Sequence, residues 1–232
     1  MPSQQRSRRG PSKPKTGAAE RYTAVIADMV ASRAMSPSQR ARVQVAFARL
    51  IGLLNRLYAD HLRAKFVITL GDEFQGLLRN PEVIPQLVWT LERKLPDIAF
   101  RLGFGYGRIY TSLKEYAINV DGPALHRARA AIEAAKRHKL RGGVFDGFGS
   151  LDAPLNGFAR VLQHQRAIWP PRQLEVVRRL HDGKKGVDIA RALGITKQAV
   201  SRYASLAGWE AYAEAERGWS ALLRSLGTGK RT

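Results

Sequence analysis

The chain has no cysteine. That excludes a disulfide framework, a thiolate metal site and a cysteine nucleophile, and it is compatible with a reducing compartment. Long apolar runs are also missing: none approaches the ~20 residues needed to span a bilayer. The basic start (Arg6, Arg8, Arg9, Lys13, Lys15) is not followed by an apolar segment, so neither a secretory signal nor a membrane partner is expected. A cytoplasmic location follows as the expectation. Acids are scarce, 19 Asp and Glu against 39 Lys and Arg, giving a formal charge of +20. Such a chain is drawn to polyanions, because each neutralised phosphate releases condensed counterions. A genome that favours arginine would produce part of the same bias. The five histidines (His61, His126, His138, His164, His181) have no metal-ligand spacing, and only His126 stands among other candidate site residues.

What is present falls into four stretches. Residues 1–20, rich in Ser, Pro, Gly and cations, read as a disordered basic arm. Residues 21–150 alternate strand and helix patterns. Tyr22 to Ala27 is a β-prone run closed by Asp28, and Ser36-Pro37 is a helix start. Val43, Phe47, Leu50, Ile51, Leu54 and Leu57 then recur at helical spacing. Lys65–Leu70 and Glu73–Leu78 form a hairpin around Gly71-Asp72. A helix over Pro81–Lys94, a glycine-rich strand over Phe100–Tyr110, a helix over Gly122–His138 and a last strand in Gly142–Gly149 complete the unit. The order predicts an α+β, ferredoxin-like sandwich with helices on one face of a mostly antiparallel sheet. Residues 151–170 read as a linker, and 171–228 as an all-α domain.

Within that last stretch, Arg172–Leu180 is an amphipathic helix, and Gly186–Ser205 has the spacing of a helix-turn-helix. Ala190 lets two helices cross closely, Gly194 suits a left-handed turn, and Val200, with Leu193 and Ile195, fills the angle between them. The second helix then exposes Thr196, Lys197, Gln198, Ser201 and Arg202. These side-chain types pair with base edges and phosphates, and they sit where a recognition helix contacts DNA. The segment resembles the helix-turn-helix of bacterial regulators and of sigma-factor region four. The plainer reading is a helical hairpin that only packs on its neighbours. Gly208–Leu226 forms a further helix whose apolar side (Trp209, Tyr212, Trp219, Leu222, Leu223, Leu226) serves either that packing or a homodimer interface.

A second constellation is Asp28 at a strand end with Asp72 and Glu73 on the hairpin. Carboxylates that converge at one sheet edge suit Mg²⁺ or Mn²⁺. Separately, Asp72 reads as a turn residue, and Asp28 as a strand-end cap or a partner of Arg33. The segments IADMVASR (26–33), FVITLGDEFQGLL (66–78), RLGFGYGRI (101–109) and DGPALHRARAAIEAAK (121–136) resemble the SatD family of bacterial proteins. More distantly they resemble the palm of class III nucleotidyl cyclases and GGDEF proteins. That resemblance implies metal on Asp28 and Asp72, with Glu73 as a third ligand, and a nucleotide or phosphate near His126, Arg127 and Arg129. His126 stands where cyclases carry Asn, and neither arginine falls cleanly on the cyclase Arg position. Two functions are therefore weighed: a DNA-binding regulator whose palm binds a nucleotide-type ligand, or a metal-dependent nucleotidyltransferase or cyclase tethered by the helix-turn-helix. An adaptor that never touches nucleic acid is a third.

Overall fold

A computed structural model describes residues 20–30 and 35–226. The basic arm, apart from Glu20, and Arg33 lie outside the described residues. The chain runs β1 (Arg21–Met29), α1 (Pro37–Leu57), β2 (Leu62–Leu70), β3 (Glu73–Leu78), α2 (Ile84–Lys94), β4 (Phe100–Arg108), α3 (Pro123–Arg137) and β5 (Gly142–Asp146). Five helices follow: α4 (Asp152–Ile168), α5 (Pro171–His181), α6 (Gly186–Leu193), α7 (Lys197–Leu206) and α8 (Trp209–Ser225). Among the described residues no helix is long and apolar enough to cross a membrane.

The fold is α+β around one five-stranded mixed sheet of order β2-β3-β1-β4-β5. All neighbouring strands are antiparallel except β4 and β5, which are parallel and joined through α3. β1 is central, and every residue from Tyr22 to Met29 is buried, as expected of a strand covered on both faces. This corrects the expectation of helices on one face. Val25 and Ala27 point into a core shared with α1, α2, α4 and α8, while Ala24 and Ile26 point into a second core under α3. A pattern buried on both sides carries no period-2 signal to show that the far face is covered.

Local signals explain the element ends. Ser36 and Gln39 form a reciprocal capping box at the start of α1. Phe47, Leu50, Ile51 and Leu54 are buried as their spacing implies, but Leu57 is 57% exposed and Tyr58 takes the inward place. Two asparagines substitute for a missing strand. Asn156 donates to Phe145 O and accepts from Phe145 N, both at 2.9 Å, which closes part of edge strand β5. Asn55 does the same for Phe66, which lies in the irregular stretch of the β2–β3 pairing.

Helix α3 packs closely on β4. Gly103, Gly105 and Gly107 alternate along the strand and face the alanine-rich side of α3. A Cβ on Gly107 would meet Ala124 N at 2.9 Å, one on Gly103 would meet Ile132 N at 2.8 Å, and one on Gly105 would collide with backbone atoms of Ala124 and Ala128. The glycines are thus needed for space.

The stretch expected as a linker is mostly the 17-residue helix α4, and its Leu155, Ala159 and Leu162 join the main core. The apolar side of α8 is used inside the chain. Trp219 is 1% exposed and meets Phe145 edge-on at 5.7 Å. Arg166 of α4 ties these parts together. Its guanidinium is buried, donates to both Glu92 carboxylate oxygens, at 2.5 and 3.2 Å, and to Tyr212 Oη at 2.8 Å. Burial pushes the Tyr212 phenol up, and Glu216 adds to this against the opposing Arg166 charge.

Replacing Gly105 with alanine is expected to cost about 3 kcal/mol, because the new methyl meets backbone that cannot turn aside. The same change at Gly157, an open helical position on α4, is expected to stabilise by about 0.5–1 kcal/mol. Urea unfolding of both variants checks the pair.

Candidate functional site

Two groups of candidate residues are far apart in sequence, and the fold treats them differently. The first is the acidic group at one end of the sheet. Asp28 closes β1 and lies in register between Glu73 on β3 and Arg101 on β4. Met29 N donates to Asp72 O at 3.0 Å, so the hairpin turn sits beside the strand end. All three acids are therefore neighbours, as the sequence implies.

Their electrostatics are set by cations from α3 and β4. Arg129 grips Glu73 with two bonds of 2.6 and 2.8 Å, and Thr69 Oγ1 donates to the same carboxylate at 3.0 Å. Glu73 is only 4% exposed. Burial alone would push its carboxyl up, but Arg129, with help from Thr69 and Lys136, holds it below its ordinary value of 4.5. Asp28 Oδ2 faces Lys136 Nζ at 3.3 Å and Arg101 Nη1 at 3.7 Å. Here burial wins: Asp28 stays above its ordinary 3.8 despite both cations, and its Oδ1 is buried without a hydrogen-bond partner among the described residues.

The resemblance to the cyclase palm raises the question of whether these acids fit a divalent ion. Two of the three carboxylates already face tethered cations, and Glu73 accepts three hydrogen bonds. Among the described residues no group of three or more His, Asp or Glu could hold a metal. The trio as arranged does not fit a three-carboxylate centre.

The expected nucleotide or phosphate residues do not converge. His126 Nε2 bonds Asp121 Oδ1 at 2.7 Å on the surface, Arg127 donates to Tyr106 O at 2.6 Å, and Arg129 turns to Glu73. The residues that do complete the acidic group, Lys136 and Arg101, were not singled out as its partners from sequence. The glycine alternation of β4 opposite an alanine-rich helix was the available signal, since it brings α3 down onto the strand ends.

The second group lies on α6 and α7. Gly194 takes the left-handed conformation (φ 63°, ψ 36°) and ends α6. Thr196 caps α7, accepting from Ala199 N at 3.1 Å. Val176 of α5, Ile189 and Ala190 of α6 and Val200 of α7 form a small buried core, with Leu180, Leu193, Ile195 and Tyr203 packed on it. This is the core that the spacing of Ala190, Gly194 and Val200 implies. Lys197, Gln198, Ser201 and Arg202 are all exposed, and their side chains make no hydrogen bond or ion pair with any described residue. Thr196 differs from them, since its oxygen is engaged in the cap. No acid interrupts α7, and exposed Lys184, Lys185 and Arg191 lie on and just before α6.

The SatD family model matches residues 22–145, more than half of the chain, and the protein belongs to the SatD family. A comparison with curated proteins finds no match. The matched region contains β1 to β5 and the acidic group; α4 to α8 follow it.

Removing Arg129 leaves Glu73 buried with its main partner gone. Arg129→Met is expected to cost roughly 2 kcal/mol at pH 7, less than the ~3–5 of a fully buried pair because water reaches Arg129. The sign with pH follows from Glu73. Its depressed value makes the ion pair stabilising above 4.5, and that contribution is lost as the pH falls through the lower folded value. The deficit of Arg129→Met should therefore shrink on acidification, and Glu73→Gln in the same chain should restore part of the stability at pH 7. Denaturation curves at several pH values give both readings.

Proposed function

We propose that the protein is a DNA-binding regulator in which α5, α6 and α7 form a helix-turn-helix and α7 is the recognition helix. The observation that carries this reading is the polar face of α7. Lys197, Gln198, Ser201 and Arg202 are held in the open on a helix whose other side is fixed by its own small core. A helix that served only as packing would have no need of an exposed, acid-free row of long donors. Gln198 offers the paired donor and acceptor that match adenine, and Arg202 and Lys197 suit guanine or phosphate. Lys184, Lys185 and Arg191 add backbone-neutralising charge beside them. Thr196 contributes by fixing the start of the helix, with its hydroxyl proton still available to a phosphate.

In this reading the sheet unit is a cyclase-like palm that serves as a platform. The reaction reading, a nucleotidyltransferase or cyclase using Mg²⁺ or Mn²⁺ on Asp28, Asp72 and Glu73, has less in its favour, since two of those three carboxylates are engaged, Glu73 by Arg129 and Asp28 by Lys136 and Arg101. Fold likeness alone does not supply an activity.

The test is a fluorescence-anisotropy titration with duplex DNA across a salt series. Wild type is expected to bind with a steep loss of affinity as salt rises. Lys197→Ala/Arg202→Ala is expected to weaken binding by about tenfold or more and to lower the salt slope by roughly one or two. Undetectable binding, or binding unchanged in the double variant, would sink the assignment of α7.

A further inference from the structure

A cavity of about 290 Å³ lies away from α7, between the sheet unit and the C-terminal helices. Its walls come from α2, the segment leading into β4, the residue before β5, α4 and α5. Trp89, Ile98, Phe100 and Leu174 supply apolar surface, and Arg93, Arg141, Arg166 and Arg178 stand against only two acids, Glu92 and Asp97.

The arginines are not equivalent. Arg166 is committed to Glu92 and Tyr212, and Arg93 to Asp182. Arg141 and Arg178 form no ion pair with any described residue. They come from different parts of the chain, one just before β5 and one on α5, and both line the same hollow. The indole of Trp89, only 5% exposed, lines it too.

We propose that this cavity is a binding site for a small organic anion, a flat apolar body bearing one carboxylate or phosphate group. The anion would be held by the guanidiniums of Arg141 and Arg178, and the body by Trp89, Ile98 and Leu174. Two unpaired guanidiniums at an apolar hollow match the general form of a small-molecule site, mostly apolar with a few placed polar groups. Planar forks suit carboxylate and phosphate oxygens. The site is separate from the acidic group and does not rest on the DNA-binding reading.

Isothermal titration calorimetry of the full chain with phenyl phosphate and with benzoate tests this, with benzyl alcohol as the neutral counterpart. Saturable one-to-one binding of at least one anion is expected, in the high micromolar to low millimolar range appropriate to so small a probe, with none for the alcohol. Arg141→Met/Arg178→Met should weaken binding about tenfold or more, whereas Arg108→Met/Lys114→Met, which removes the same charge at exposed positions outside the cavity, should leave it unchanged. Ala167→Phe, a substitution at an exposed position on the rim, should block the cavity without disturbing the core. Circular dichroism and the melting temperature establish that each variant is folded. The proposal is overturned if neither anion binds, if the alcohol binds equally, or if both double variants lose binding alike.

Discussion

The seating of α3 directly on β4 is the constraint on which the rest of the structure depends. Three alternate glycines clear the side chains from one face of the strand between Gly103 and Gly107, and the alanines of α3 descend into that space. The separation between helix and sheet is then set by backbone. Because α3 lies this low, Arg129 reaches Glu73 and Lys136 reaches Asp28, two carboxylates buried at the ends of neighbouring strands. A bulkier β4 would raise the helix, taking Arg129 from Glu73 and Lys136 from Asp28. An acid left alone in such a place would protonate or destabilise the fold. Packing and electrostatics are here one feature.

A second dependence runs through α5. Leu174 and Val177 join the main core beneath α4 and α8, while Val176 and Leu180 join the small core of α6 and α7. Neighbouring residues on one helix therefore belong to two cores. The joint is reinforced at its end, where His181 stacks on Trp89 with ring centroids 4.1 Å apart, donates from Nε2 to Glu216 Oε2 at 2.8 Å, and is followed by the Arg93–Asp182 pair. With Arg166 bridging α4 to α2 and α8, the C-terminal helices are held against the sheet by aromatic, charged and apolar contacts together.

Much of this was legible in the sequence, and the limits have physical causes. The hairpin at Gly71-Asp72, the cap at Ser36 and the turn at Gly194 are local events, each decided by one or two residues, and each sits where the text places it. Long-range pairing is different. Nothing near Asp28 in sequence announces Lys136, more than a hundred residues away. The glycines of β4 read as a peculiarity of the strand until the helix that covers them is known. Residues 152–168 contain Pro154 and Gly157 and so resemble a linker, yet proline is tolerated in the first turn of a helix, and the burial of Leu155, Ala159 and Leu162 outweighs one glycine. The apolar side of α8 was equally visible, but an amphipathic pattern gives a face and no partner. Here the partner is the sheet unit itself.

The acidic group illustrates how a shared scaffold can carry different electrostatics. A divalent ion approaching Asp28 would meet two cations that the fold already holds in place, one on a strand and one on a helix pinned by backbone contact. Such tethered charges lose little entropy on pairing, whereas Mg²⁺ must shed water that it gives up reluctantly. The raised value of Asp28 points the same way, since burial disfavours its charged form even with both cations present. The exposed cations of α7 are in the opposite state, open to water and without partners among the described residues. Charge that is satisfied internally holds a platform together, and charge left open is available to a polyanion. On that contrast the functional reading places recognition at α7 and support at the sheet.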